Sequence, residues 1–275
     1  MLKQRVLTAI PLALVVIWVI LFQPTQTLMW LLYVITLLAG WEWSQLGGLG
    51  PVGARGAFAL LVCLIPWLML RYADDFIPVY VSAAALCWLL VTAWLFRARP
   101  CAASQALSPL KLLFGMLVIP AAVLAMHAIH SSRLQGPDWL LFGLMLVWVA
   151  DIGAYFSGKK FGRHKLAPHI SPGKTREGLY GAAAAVALYS LAGAWYFDFS
   201  LELSVLMLLL MLLLSLISVA GDLFESLMKR EFGVKDSGAI LPGHGGVLDR
   251  IDSVLAAMPL FMLGRQWLLQ QGFGL

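Results

Sequence analysis

The chain has 275 residues, of which 61% are hydrophobic and 12% charged, with a formal net charge of +5 and a mean hydropathy of +0.87. A soluble domain is roughly 45–50% apolar and about 25% charged. The composition therefore excludes a soluble globular protein and predicts an all-α polytopic membrane bundle. The isoelectric point near 9.2 suits a face lying against anionic lipid. No interleaved basic and aromatic surface is present, so no nucleic-acid site is expected.

A helix needs about 20 mostly apolar residues to cross the hydrocarbon layer. Nine spans are predicted, at about 7–22, 28–41, 57–70, 78–96, 112–129, 139–157, 178–197, 203–221 and 254–270. The first follows Lys3 and Arg5 and mimics a signal peptide. Gln23-Pro24-Thr25 is not a small-residue cleavage site, so an uncleaved span is expected. In the second span's flank, Glu42 between Trp41 and Trp43 reads as interfacial. Trp30, Trp41, Trp43, Trp94, Trp139 and Trp195 read as an aromatic belt near span ends. His127 and His130, one helical turn apart at the end of the fifth span, are joined by no acidic residue and read as structural or interfacial rather than metal-binding. The small-residue run Gly181–Ala185 in the seventh span suits close helix packing. In the eighth, the run Met207–Leu214 reads as lipid-facing on all sides. Cys63, Cys87 and Cys101 are too widely spaced for a zinc or redox pair.

Basic residues predict the orientation. With the N-terminus cytoplasmic, only Arg71, Arg133 and Arg265 of the 19 lysines and arginines fall outside, a strong positive-inside bias. The longest inside connections, about 158–177 and 222–253, are also the most polar. The chain reads as one membrane domain: N-terminal spans over 1–135, and a half carrying the chemistry over 136–275.

Within that half, carboxylates stand where apolar residues are expected. Asp151 follows an apolar run, and Asp222 and Glu225 end the eighth span. A carboxylate at the bilayer centre costs roughly 2.5–3.5 kcal/mol, and near a helix end it still needs water or a partner. On a helix, Asp222, Glu225, Ser226 and Lys229 share one stripe, and Asp249, Asp252 and Ser253 share another. Facing stripes of this kind would make a hard-cation site with oxygen ligands. Simple interfacial ion pairing with Lys229 or Arg250 explains each residue taken singly; their clustering points to function. Gly243, Gly245 and Gly246 precede Asp249 and allow close backbone approach to a phosphate. Ser171-Pro172-Gly173-Lys174-Thr175 ends like a phosphate-binding loop. However, Pro168 occupies the first glycine's place and no strand is expected before it, so that reading is rejected. Lys174 and Arg176 remain candidate phosphate holders. His164 and His169, in the same basic loop, read as solvated.

Ser226, Lys229, Arg230, Lys235, Asp236, His244, Gly245, Gly246, Asp249, Arg250 and Asp252 together closely resemble the signature of the phosphatidate cytidylyltransferase (CDP-diacylglycerol synthase) family. Asp151-Ile-Gly-Ala-Tyr155, Ser171–Gly178 and Gly221–Ser226 fit the same resemblance, which is sharp over about 148–254. It implies transfer of CMP from CTP to phosphatidate with Mg²⁺, in phospholipid biosynthesis. It implies Asp222 and Asp249 as metal ligands with Asp252 close by, and Lys229 and Arg230 beside them in the catalytic set. Ser171, Lys174, Arg176, Ser226, Lys235, His244, Gly245, Gly246 and Arg250 would bind substrate. The resemblance alone suggests a homodimer, and the expected location is the bacterial inner membrane with the site on the cytoplasmic side.

Other classes compete at this level. A transporter would use Asp151 and Asp222 to couple ion movement, although the polar groups gather on one face. A CTP-dependent lipid kinase would direct attack to the γ-phosphorus, and composition does not separate it. A CDP-alcohol phosphatidyltransferase would need a DG…AR…G…D…D arrangement that the chain lacks. A purely structural membrane protein leaves the converging charges unexplained.

Overall fold

The computed structural model describes residues 2–95, 97–240 and 245–273. Among them it has nine α-helices: α1 (Leu2–Phe22), α2 (Thr25–Leu46), α3 (Val52–Tyr72), α4 (Ile77–Leu95), α5 (Pro109–His130), α6 (Gly136–Phe161), α7 (Arg176–Tyr196), α8 (Leu201–Phe232) and α9 (Leu248–Phe273). Each predicted span falls inside one of these helices or overlaps it closely. Local chemistry places the boundaries. Pro24 and Pro51 stand just ahead of α2 and α3, where a fixed φ and a missing N–H suit a helix start. The hydroxyls of Ser108, Thr175 and Ser200 accept from Lys111, Gly178 and Leu203 amides at the starts of α5, α7 and α8, satisfying donors that no intrahelical carbonyl can reach.

Six helices are long and apolar enough to cross a membrane: α3, α4 with the 3-10 turn before it, α5, α6, α7 and α8. The apolar stretch Ile10–Phe22 of α1 is shorter. Helices α2 and α9 are not among the six. They carry Glu42 in one case and Asp249, Arg250, Asp252 and Arg265 in the other. The middle of α9 is surrounded by protein: every residue from Ser253 to Phe261 except Pro259 is 9% exposed or less, and Pro259 is also buried. A helix enclosed by its neighbours has no lipid to match and tolerates a polar end.

Four expectations are corrected. The chain is not purely helical: Lys165–Ala167 (β1) and Ser171–Thr175 (β2) form an antiparallel hairpin between α6 and α7. The connection expected over 222–253 is mostly helix, because α8 runs on to Phe232 and α9 begins at Leu248. The leucine-rich run of α8 is not lipid-facing all round. Met207, Met211 and Leu214 are fully enclosed, whereas Leu209 and Leu213 are exposed, a helical period with one inward stripe. Trp43 and Trp139, 1% exposed each, are core residues rather than belt residues. By contrast, Trp30, Trp94 and Trp195 are exposed, as a belt requires.

Small residues set the crossing of α6 and α7. A Cβ on Gly153 of α6 would stand 2.7 Å from both the Gly181 carbonyl oxygen and the Ala185 Cβ of α7. In lipid, where apolar tails offer no contrast with apolar side chains, such intimate backbone packing is what holds helices together. On the other side, Phe224 of α8 packs against Trp43, Trp88 and Phe114, with ring centroids 5.0–6.3 Å apart. This cluster ties α2, α4 and α5 to the turn of α8 that carries Asp222 and Glu225. His130, as expected, is structural: its ring nitrogens bridge Thr25 Oγ1 and the Ile20 carbonyl, both at 2.9 Å.

Candidate active site

The site begins with the crossing of α8 and α9. Gly221 lacks a side chain where one would be impossible: a Cβ there would lie 2.6 Å from the Asp252 carbonyl oxygen and 2.8 Å from the Ala256 Cβ. Ser253 Oγ donates across the same crossing to the Ser218 carbonyl at 2.9 Å. The next residue along α8 is Asp222, so the close approach brings the two acidic stripes together. Asp222 and Asp252 lie within electrostatic reach of one another, and Lys174 and Lys229 within reach of Asp252.

Two ion-paired groups result. Lys174 reaches from β2 to Asp222 at 2.8 Å, and Ser226 Oγ donates to the other Asp222 oxygen at 3.3 Å. The hairpin missing from the sequence reading is therefore the element that delivers Lys174. It is braced by Glu177, which accepts from the Arg163 amide at 3.0 Å and pairs with His164 Nδ1 at 2.6 Å. In the second group, Lys229 pairs with Glu225 Oε2 at 2.7 Å and with Asp249 Oδ1. The other Asp249 oxygen accepts from the Ser237 amide at 3.0 Å, the Ser237 hydroxyl at 3.1 Å and the Gly246 amide at 2.8 Å. Asp249 and Asp252 sit in the opening turns of α9, ahead of its apolar stretch. Burial works to raise the Asp249 carboxyl, but the Lys229 ammonium and the two amides outweigh it and hold it below the ordinary range. Asp252 goes the other way: burial and the neighbouring Asp222 carboxylate push it up to about 7.

The remaining site residues spread around this centre. Asp151 is within electrostatic reach of Lys174, Asp222 and Arg250. Arg176, Arg230, Lys235 and Arg250 are exposed, and Arg230 Nη1 donates to the Val234 carbonyl at 3.3 Å. Ser171 is half-buried on β2. Gly245 has φ +84°, a left-handed conformation that glycine adopts without steric cost. His244, with 241–243, lies outside the described residues.

Sequence reasoning missed two groups. Glu42 of α2, expected to be interfacial, is 1% exposed. It accepts from Val247 N at 3.0 Å, Leu248 N at 2.8 Å and Ser237 Oγ at 2.8 Å. The signal was present, since a lone acid in an apolar span must find partners, but nothing in the sequence named them. Ser237, itself buried, carries no signal in the sequence beyond its place in the signature segment.

The donor chemistry suits the magnesium ion implied by the resemblance. The acidic groups offer only hard oxygen ligands, and Glu225 Oε1 is buried with no hydrogen-bond partner. Among the described residues, no three carboxylate, histidine or cysteine groups converge as a ready-made metal site. Ammonium groups of Lys174 and Lys229 hold the carboxylates instead.

The sequence profile of the cytidylyltransferase family matches residues 3–267. A phosphatidate cytidylyltransferase of Pseudomonas aeruginosa is 36% identical over 261 residues, covering 95% of this chain and 96% of the relative. One of Haemophilus influenzae is 37% identical, covering 95% and 97%. One of Staphylococcus haemolyticus is 34% identical, covering 94% and 96%. With its profile match spanning nearly every residue and its acidic stripes joined at one helix crossing, the chain belongs to the cytidylyltransferase family.

Proposed function

We propose that this chain is a phosphatidate cytidylyltransferase, which transfers CMP from CTP to phosphatidate and releases pyrophosphate. The observation that carries the reading is the meeting of β2, α8 and α9. There Lys174, Asp222, Lys229, Asp249 and Asp252 gather at the border of apolar helices, and the relatives bearing that name cover nearly the whole chain.

The chemistry needs charge more than it needs a base. A phosphate oxygen of phosphatidate, already anionic near neutral pH, attacks the α-phosphorus of CTP. The bond from that phosphorus to the bridging oxygen breaks, and pyrophosphate leaves with the electron pair. The obstacle is repulsion between two anions. Lys174 and Lys229 supply fixed positive charge in a partly buried setting, where it acts more strongly than in water. Exposed Arg176, Arg230, Lys235 and Arg250 extend the attraction to the approaching nucleotide. Asp222 and Asp249, with Asp252 close by, would hold Mg²⁺. When bound, that ion would neutralise phosphate charge and favour departure of pyrophosphate. Transfer is direct, without a covalent cytidylyl-enzyme.

In the full proposal all nine helices lie within a bacterial inner membrane, the N-terminus is cytoplasmic and the site opens on that side, where CTP is found. The basic-residue asymmetry supports this orientation. The assembly is a homodimer, tested by light scattering in detergent. The activity itself is tested by incubating purified protein with phosphatidate, Mg²⁺ and CTP labelled on cytosine. Label should enter lipid. If that label stays out of lipid while label from CTP marked instead on the γ-phosphate enters it, the protein is a lipid kinase and the reading is refuted.

A further inference from the structure

Glu42 belongs to the half of the chain that lies outside the sharp part of the signature, yet it is wired directly into it. One carboxylate oxygen accepts from Val247 N, and the other from Leu248 N and Ser237 Oγ. Leu248 is the first residue of α9, so Glu42 satisfies amides at that helix's N-terminus from a different part of the chain. Orphan amides and the positive end of the helix dipole favour an acceptor there. The same Ser237 hydroxyl also faces Asp249 Oδ2. A two-step bridge therefore runs from α2 to the carboxylate that pairs with Lys229. The surrounding backbone is shaped to this carboxylate: a Cβ on Gly238 or on Gly246 would collide with it, and one on Gly246 would also strike Ser237 Oγ. Helix α2 is itself held in register, because Trp43 Nε1 donates to the Lys111 carbonyl at 2.8 Å. A Cβ on Gly115 of α5 would collide with the Trp43 indole.

We propose that Glu42 is a positioning residue for cytidylyl transfer, clamping Ser237, Val247 and Leu248 so that Asp249 and the start of α9 stay aligned with α8. The inference rests on the transferase reading above. Glu42 does not touch substrate; it acts through Ser237, Val247 and Leu248. Replacing one oxygen by an amide nitrogen, in Glu42→Gln, sets a donor against a donor on one side of the clamp while keeping size and shape.

The test compares wild type, Glu42→Gln and Ser237→Ala, each purified in detergent. One measurement is kcat and KM for CTP and phosphatidate; the other is hydrogen exchange at residues 245–250. For Glu42→Gln, kcat should fall at least about tenfold, as expected when a reacting group is displaced by a fraction of an ångström. Both KM values should stay within about threefold on the same argument, and exchange should quicken at Val247 and Leu248 while the rest of α9 stays protected. Ser237→Ala should give the same pattern more weakly. A folded Glu42→Gln with kcat within about twofold of wild type, or with KM rather than kcat altered, overturns the proposal. If Glu42→Gln does not fold, Ser237→Ala decides, and unchanged kcat there overturns it. Absence of lipid product from wild type would instead refute the transferase reading, and the exchange measurement would still show whether the clamp exists.

Discussion

Asp222 and Asp249 look equivalent in the sequence, each opening an acidic stripe, but the structure makes them different kinds of carboxylate. Asp249 is held on both oxygens, by Lys229 on one and by the Ser237 and Gly246 amides on the other, which the Ser237 hydroxyl also faces. Asp222 has one lysine and one long bond from Ser226, and both partners of its ion pair keep 24–34% of their side-chain exposure. The difference separates two tasks. Asp249 organises the polypeptide around it, drawing Lys229, Ser237 and Gly246 onto one carboxylate. Asp222 is held more loosely, by a lysine on a hairpin; in the transferase reading proposed above, its charge would be the one free to exchange with a cation or to release Lys174 to a phosphate.

That contrast can be broken experimentally. The largest effect should come from removing divalent cations: in excess chelator, incorporation of labelled CMP into lipid should fall to background and return on adding Mg²⁺. Unimpaired incorporation under chelation would mean that the carboxylates serve no metal. Next, Asp249→Asn should lose both activity and stability. Leaving Lys229 with only one of its two carboxylates in a buried place costs about 3 kcal/mol, read as a lowered thermal midpoint in detergent. Its transfer rate should drop at least about 100-fold, the scale for losing one fixed electrostatic contact in a site.

Asp222→Asn sharpens the comparison. Its transfer rate should fall as far, but its stability should change by less than about 1 kcal/mol, because a half-exposed pair contributes little. Equal loss of midpoint in the two variants would erase the distinction between the two carboxylates. The smallest of these effects on turnover is expected for Gly246→Ala. The added methyl group runs into Ser237 Oγ and the Glu42 carboxylate, and such overpacking typically costs about 1–3 kcal/mol. A wild-type midpoint for this variant would show that the segment yields easily and is no clamp.

Much of the fold was legible because lipid imposes a simple rule: every backbone polar group must be satisfied within its own helix, so apolar length marks helices. Nine spans were predicted and nine helices stand at those places among the described residues. The hairpin over Lys165–Thr175 was not legible. It is short, lies outside the apolar segments, and contains Pro172 and Gly173, which ordinarily weaken a strand reading. The inward face of Met207, Met211 and Leu214 was hidden because a leucine-rich run has no polar residues to mark its period. Of the site, Asp222, Ser226, Lys229, Asp249 and Asp252 were named from helical spacing and from resemblance, since i, i+3 and i+4 positions share a face whatever the surroundings.

By itself, the amino-acid order determined the class of protein, the number and position of its long helices, the family and the charged residues of its candidate site. Those properties follow from local composition and from spacing along one helix. Only the tertiary structure decided which charges meet: Lys174 with Asp222, Lys229 with Asp249, and Glu42 with the start of α9. These partners come from separate elements, and 195 positions separate Glu42 from Ser237. The physical reason is that hydrophobicity reports whether a segment leaves water, whereas the pairing of buried charges depends on how helices cross. Here the crossing of α8 and α9 is set by a residue with no charge at all, Gly221, whose missing side chain lets the Asp252 backbone approach.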